Sequence, residues 1–151
     1  MDGVAGTERP KLWTPDLELG IPLIDGQHKK LVQQLEEVFV AVKTRRPARL
    51  VQEALVFLDQ YTQEHFHSEE RFMAEHGYPG VEDHKAAHQH FRDQVTKAGK
   101  YVAVNPHSEK TLQLVQSMLV NWYIQHIKGT DQQYAKYVKN RRLAGGPGRD
   151  S

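Results

Sequence analysis

Along most of this chain, apolar residues return every three to four positions, the interval of one face of an α-helix. Between residues 25 and 43, His28, Leu31, Val32, Leu35, Val38, Phe39 and Val42 keep that period. Asp25 is a helix-capping residue type, so the first helix is expected to start there. Pro47 opens a second run, whose inner face takes Val51, Ala54, Leu55, Leu58, Tyr61, His65, Glu69 and Phe72. Gly77-Tyr78-Pro79-Gly80 reads as a turn that sends the chain back on itself. A third helix, over residues 81–104, presents His84, His88, Phe91, Val95, Ala98 and Val102 before Asn105-Pro106 ends it. Ser108 caps a fourth, with Leu112, Val115, Leu119, Trp122 and His126 inward, and the pattern resumes at Tyr134, Tyr137 and Val138. Four amphipathic helices joined by short turns predict an all-α fold, an up-down-up-down antiparallel four-helix bundle.

The stretch before the first helix breaks the pattern. Pro15, Gly20 and Pro22 make residues 13–24 an extended N-terminal arm. Its apolar side chains, Trp13, Leu17, Leu19, Ile21 and Leu23, need cover, which packing across the helices would give. The expected organisation is a flexible tail over 1–12, the bundle over 13–140 and a flexible tail over 141–151.

Histidine falls on the inner faces. His65 and Glu69 are four residues apart, as are His84 and His88, so each pair projects from one side of its helix. The turn between them would set the two pairs face to face. His28 and His126 bring in the other two helices. Asp131 follows His126 by five residues, which is about 140° off on a regular α-helix. Either a π-type distortion near Lys128-Gly129-Thr130 or a long reach by the carboxylate is expected, and Gly129 makes a distortion cheap. His67, His76, His90 and His107 lie off these faces and read as solvated surface residues. So many buried imidazoles without a metal would carry unsatisfied nitrogens or disfavoured charge. Five imidazoles and two carboxylates exceed the needs of one ion. Two first-row ions bridged by the carboxylates would use them all, with iron or manganese preferred over copper.

Composition narrows the classes. There is no cysteine, which removes disulfides, thiolate metal sites and cysteine nucleophiles. The formal net charge is +1, so no nucleic-acid partner is expected. The basic residues Lys136, Lys139, Arg141 and Arg142 read as complements to a helix C-terminus. No apolar run is long enough to span a bilayer and no secretory leader is recognisable, so a cytoplasmic protein with no membrane contact is expected.

The pattern resembles the hemerythrin family, its bacterial members in particular. The matching text is Trp13…Gly20-Ile21…Ile24-Asp25…His28, then His65-Phe66-x-x-Glu69-Glu70-x-x-Met73, His84-x-x-x-His88 and Trp122-x-x-x-His126-Ile127-x-x-x-Asp131. By that resemblance, His84, His88 and His126 would hold one iron and His28 and His65 the other, which keeps an open position. Glu69 and Asp131 would bridge the two irons together with an oxo or hydroxo ion. The resemblance implies reversible O2 binding for carriage, storage or delivery, without enzymatic turnover. Leu31, Phe66, Trp122, Tyr123 and Ile127 would line the O2 pocket. Tyr123 stands where the family commonly has leucine. Its hydroxyl would bond the bound oxygen species or gate the pocket, unless the ring only fills the leucine space with the hydroxyl reaching the surface.

Two rivals share this centre: a sensor of O2, redox state or nitric oxide, and a peroxidase-like or oxidase enzyme. Ferritin-like oxidases carry two Glu-x-x-His motifs, and here only Glu64-x-x-His67 fits. A zinc hydrolase is more distant, since no His-Glu-x-x-His motif is present. A monomer is expected, with a redox or O2-accepting protein as its partner.

Overall fold

The computed structural model describes residues 11–145. Four long helical stretches form the antiparallel bundle: α1 (Pro22–Lys43), α2 (Ala48–Glu75), α3 (Val81–Val104) and a fourth, α4, that opens with Glu109–Leu114 and ends with Gln132–Gly145. Between those ends α4 passes through a π segment, Val115–Asn121, a short α segment, Trp122–His126, and a second π segment, Ile127–Asp131. Among the described residues there is no strand. No described helix is long and apolar enough to cross a membrane. Residues 1–10 and 146–151, most of the two expected tails, lie outside the described residues. The last helix runs on to Gly145, into the stretch expected as a tail.

Local chemistry sets the ends. Ser108 accepts a hydrogen bond from the Thr111 amide, as a capping serine should. After α2, Tyr78 N–H reaches Met73 O and Gly77 N–H reaches Ala74 O, with Gly77 at φ +66. That is the left-handed exit glycine favours. Helix α1 begins earlier than its sequence suggests. Ile21 is the capping position and Pro22 the first helical residue, where a missing N–H costs nothing. Asp25 sits inside the first turn and reaches back to accept from the amides of Leu19 and Gly20, at 2.8 and 3.1 Å. It ties down the arm, a role no cap rule foretells.

The arm lies across α1 and α4 with one turn of 3-10 helix, Pro15–Leu17. The Leu12 amide donates to Glu36, and Gln132 donates to the carbonyls of Asp16 and Glu18. Leu17 and Leu19 are fully buried, but Leu23 is exposed: it falls on the outer side of α1 once the helix starts at Pro22.

The core is split into two apolar layers. The larger holds Leu31, Phe66, Phe91 and Ile127, and the smaller holds Ile24, Met73 and Tyr134 with Val81 against it. Each helix crosses from one layer to the other, α1 and α3 in one sense, α2 and α4 in the opposite sense. The residues between the layers form a polar stratum through the bundle.

Candidate metal centre

All seven residues singled out by spacing meet in that stratum. His28, His65, Glu69 and Asp131 are fully buried, and His84, His88 and His126 are nearly so. Glu69 Oε1 lies 3.2 Å from His84 Nε2 and 2.8 Å from His88 Nε2. Its Oε2 lies 3.2 Å from His28 Nε2 and 3.5 Å from His65 Nε2. Asp131 Oδ1 is 2.9 Å from His84 Nε2 and 3.0 Å from His126 Nε2, while Oδ2 is 3.1 Å from His28 Nε2. Each carboxylate thus turns one oxygen to each side of the stratum.

Close approach here is not the same as hydrogen bonding. Neither Asp131 oxygen makes a hydrogen bond, nor does Nε2 of His65 or of His126. Buried polar atoms that crowd together unpaired are costly unless something else satisfies them. Among the described residues, two groups have ligand atoms close enough to hold an ion each: Glu69, His84, His88, His126 and Asp131, and His28, His65 and Glu69. Imidazole and carboxylate donors without thiolate fit first-row ions, iron among them.

Outer partners aim the imidazoles. His65 Nδ1–H donates to Gln27 Oε1 at 2.9 Å, and His88 Nδ1–H donates to Glu70 Oε2 at 2.7 Å. Either bond leaves the Nε2 lone pair facing inward, where a cation would use it. Gln27 is itself held by Ser68. The Tyr134 hydroxyl donates to Glu69 Oε2 at 2.7 Å. Gln27, Glu70 and Tyr134 were not visible as site residues from spacing, although Glu70 adjoins Glu69 in the motif.

Asp131 reaches the centre through the second π segment, Ile127–Asp131. Wider i→i+5 bonding fits five residues into roughly one turn, so Asp131 comes round beneath His126. This is the first of the two expected solutions, and Gly129 sits inside it.

The charges are strongly coupled. Burial opposes charge on His28, but Asp131 and Glu69 outweigh it and push its pKa from 6.5 up to about 10. The same contest lifts His84 to about 9. At His65 burial wins and the pKa falls. Burial also opposes charge on both carboxylates, yet His65, His28 and His84 hold Glu69 well below the usual range, and His126 and His28 do so for Asp131. Protons on His28 and His84 thus balance the two carboxylates in the metal-free protein.

A pH dependence follows. Groups with raised pKa stabilise the fold fully below their unfolded value of 6.5, and the contribution is lost as pH rises through about 9 and about 10. The depressed carboxylates act oppositely and weaken the fold only in acid. Metal-free protein is therefore expected to lose at least about 1.4 kcal/mol, one pKa unit's worth, between pH 6.5 and 10. Urea unfolding at both pH values checks this; an unchanged midpoint contradicts it.

Around the centre, Leu31, Phe66 and Ile127 are buried in the larger apolar layer. Phe66 stacks on His88 at 3.7 Å between ring centroids and lies 5.8 Å from His65. Trp122 is half-buried, stacked on His126 at 4.8 Å and on Phe91 at 5.1 Å. That puts it against the larger ligand group. Tyr123 is fully buried, and its hydroxyl does not reach the surface. His67 and His90 are exposed, as is Glu64, so the lone Glu-x-x-His pair is not in the core. His76 and His107 are half-buried and donate to the carbonyls of Phe72 and Arg46, which corrects their reading as solvated residues.

Comparison with known proteins points to one family. The family described as "Hemerythrin HHE cation binding domain" matches residues 19–138. A bacteriohemerythrin of Stenotrophomonas maltophilia is 34% identical over 128 residues, covering 85% of this chain and 81% of the relative. A myohemerythrin of Theromyzon tessulatum is 30% identical over 125 residues, covering 83% and 91%. Among solved structures, a hemerythrin with a leucine-to-tyrosine substitution superposes with a TM-score of 0.72 at 23% identity, covering 87% of this chain and 98% of that one.

Proposed function

The chain belongs to the hemerythrin family, and from that premise we propose that it binds O2 reversibly at a non-haem di-iron centre, for carriage, storage or delivery inside the cell. His84, His88 and His126 hold one iron in this reading and His28 and His65 the other, with Glu69 and Asp131 shared. The observation that carries it is the unequal division of imidazoles, three and two, about Glu69 and Asp131, each of which turns one oxygen to either side. The side with fewer donors keeps room for an exogenous ligand.

A bound pair of ferrous ions would supply the two electrons that O2 takes up on binding. The protein's part is to orient, neutralise and exclude. Gln27 and Glu70 fix two rings so that Nε2 faces inward. The two buried carboxylates offset cationic charge in a medium that solvates it poorly. Leu31, Phe66 and Ile127 keep the surroundings of the centre apolar, so that water and protons would not assist loss of bound oxygen in a reactive form. A monomer that passes O2 or electrons to a partner protein is sufficient for this role.

The test is an absorption spectrum of dithionite-reduced, desalted protein, recorded before air, in air and again under argon. A colourless form that gains charge-transfer bands in air and loses them under argon is expected. Bands that persist under argon contradict reversible binding and favour a redox sensor or a peroxidase-like enzyme.

A further inference from the structure

Tyr123 brings a buried polar group up against the centre. Its ring lies 6.2 Å from His28, 6.5 Å from His65 and 6.0 Å from His126. On its other sides it stacks on Phe66 at 6.3 Å and meets Phe91 edge-on at 5.2 Å. The hydroxyl is wholly shielded from solvent and bonds to no protein atom. A buried hydroxyl without a partner costs about 1–3 kcal/mol. Leucine or phenylalanine would pack the same space without that cost. Thr62, three residues before His65 on α2, is also fully buried with an unpaired hydroxyl. Polarity on this flank is therefore not confined to one side chain.

The cost is recovered only when something arrives that can accept. Two of the three imidazoles nearest the Tyr123 ring, His28 and His65, form the pair with the fewest donors, and the third, His126, lies on the other side of the carboxylates. We propose that the Tyr123 hydroxyl donates a hydrogen bond to the small ligand taken up on the His28–His65 side, and so selects ligands able to accept one. Two classes qualify: O2 as it gains electron density, and small anions. The assignment rests on the di-iron reading above.

The deciding experiment compares wild type, Tyr123→Phe and Tyr123→Leu, each loaded with iron, oxidised and titrated with azide while the charge-transfer band is followed. Iron content is measured in each, and each metal-free form is melted. Azide is expected to bind Tyr123→Phe about ten- to a hundredfold more weakly, the worth of a hydrogen bond to a charged acceptor. Tyr123→Leu should lose about as much. The metal-free Tyr123→Phe protein should melt no lower than wild type, since the hydroxyl has no partner to lose. Iron-loaded Tyr123→Phe with azide affinity within about twofold of wild type overturns the proposal. So does a loss confined to Tyr123→Leu, which would assign the effect to ring volume, or a lower melting point of metal-free Tyr123→Phe, which would make the hydroxyl structural. If wild type takes up no iron, the di-iron reading falls and this proposal with it, a result distinct from the others.

Discussion

Replacing Glu69 by alanine is expected to destabilise the metal-free protein by about 3–5 kcal/mol and to abolish stoichiometric iron loading. Glu69 lies within 3.5 Å of Nε2 on His28, His65, His84 and His88 and accepts from Tyr134 besides. It is the residue common to both candidate ion groups, so its loss damages each of them. Without it, His28 and His84 lose one of the two carboxylates that keep them protonated, and the Tyr134 hydroxyl is left buried and unpaired. The loss should appear as a melting temperature lower by about 6–20 °C, at about 2–4 °C per kcal/mol for a chain of this size. Iron per chain, measured after desalting, gives the second readout. Near-normal iron content in Glu69→Ala would refute its shared position.

Iron removal from the wild type is the other large effect. An ion held at about a thousandfold over its dissociation constant adds about 4 kcal/mol to the folded state. Two such ions should raise the melting temperature by about 15–30 °C over the metal-free form. Part of that gain replaces what protons on His28 and His84 already supply, so the difference should widen at alkaline pH. Calorimetry of both forms at one pH measures it. Equal melting temperatures would mean that the buried stratum does not take up metal.

Much of this centre could be read before any coordinates, because its constraints are local. His65 with Glu69, and His84 with His88, share helix faces by spacing alone, and the turn between them is announced by Gly77 and Gly80. Even the wide turn at Ile127–Asp131 left a trace, since a five-residue interval can face one way only if the helix is distorted. Residues whose roles depend on a neighbouring helix were not legible. Gln27, Glu70 and Tyr134 are ordinary polar or aromatic residues until tertiary packing sets each against its partner. Asp25 misled for a related reason: an acid near a helix start can cap that helix or, as here, grip the strand of chain before it. The first π segment, Val115–Asn121, left no signal because no ligand interval crosses it.

That first segment gains meaning from the length of α4. Thr111 and Val138 are both buried, and 27 residue steps separate them. A regular helix would make about seven and a half turns over that distance, leaving the two residues on opposite sides. The two wide segments absorb the odd half-turn and work like a vernier, holding a long helix in phase with its three neighbours. Delivery of Asp131 and alignment of the C-terminal half of the bundle therefore depend on the same slack in the backbone, and neither can be retuned alone.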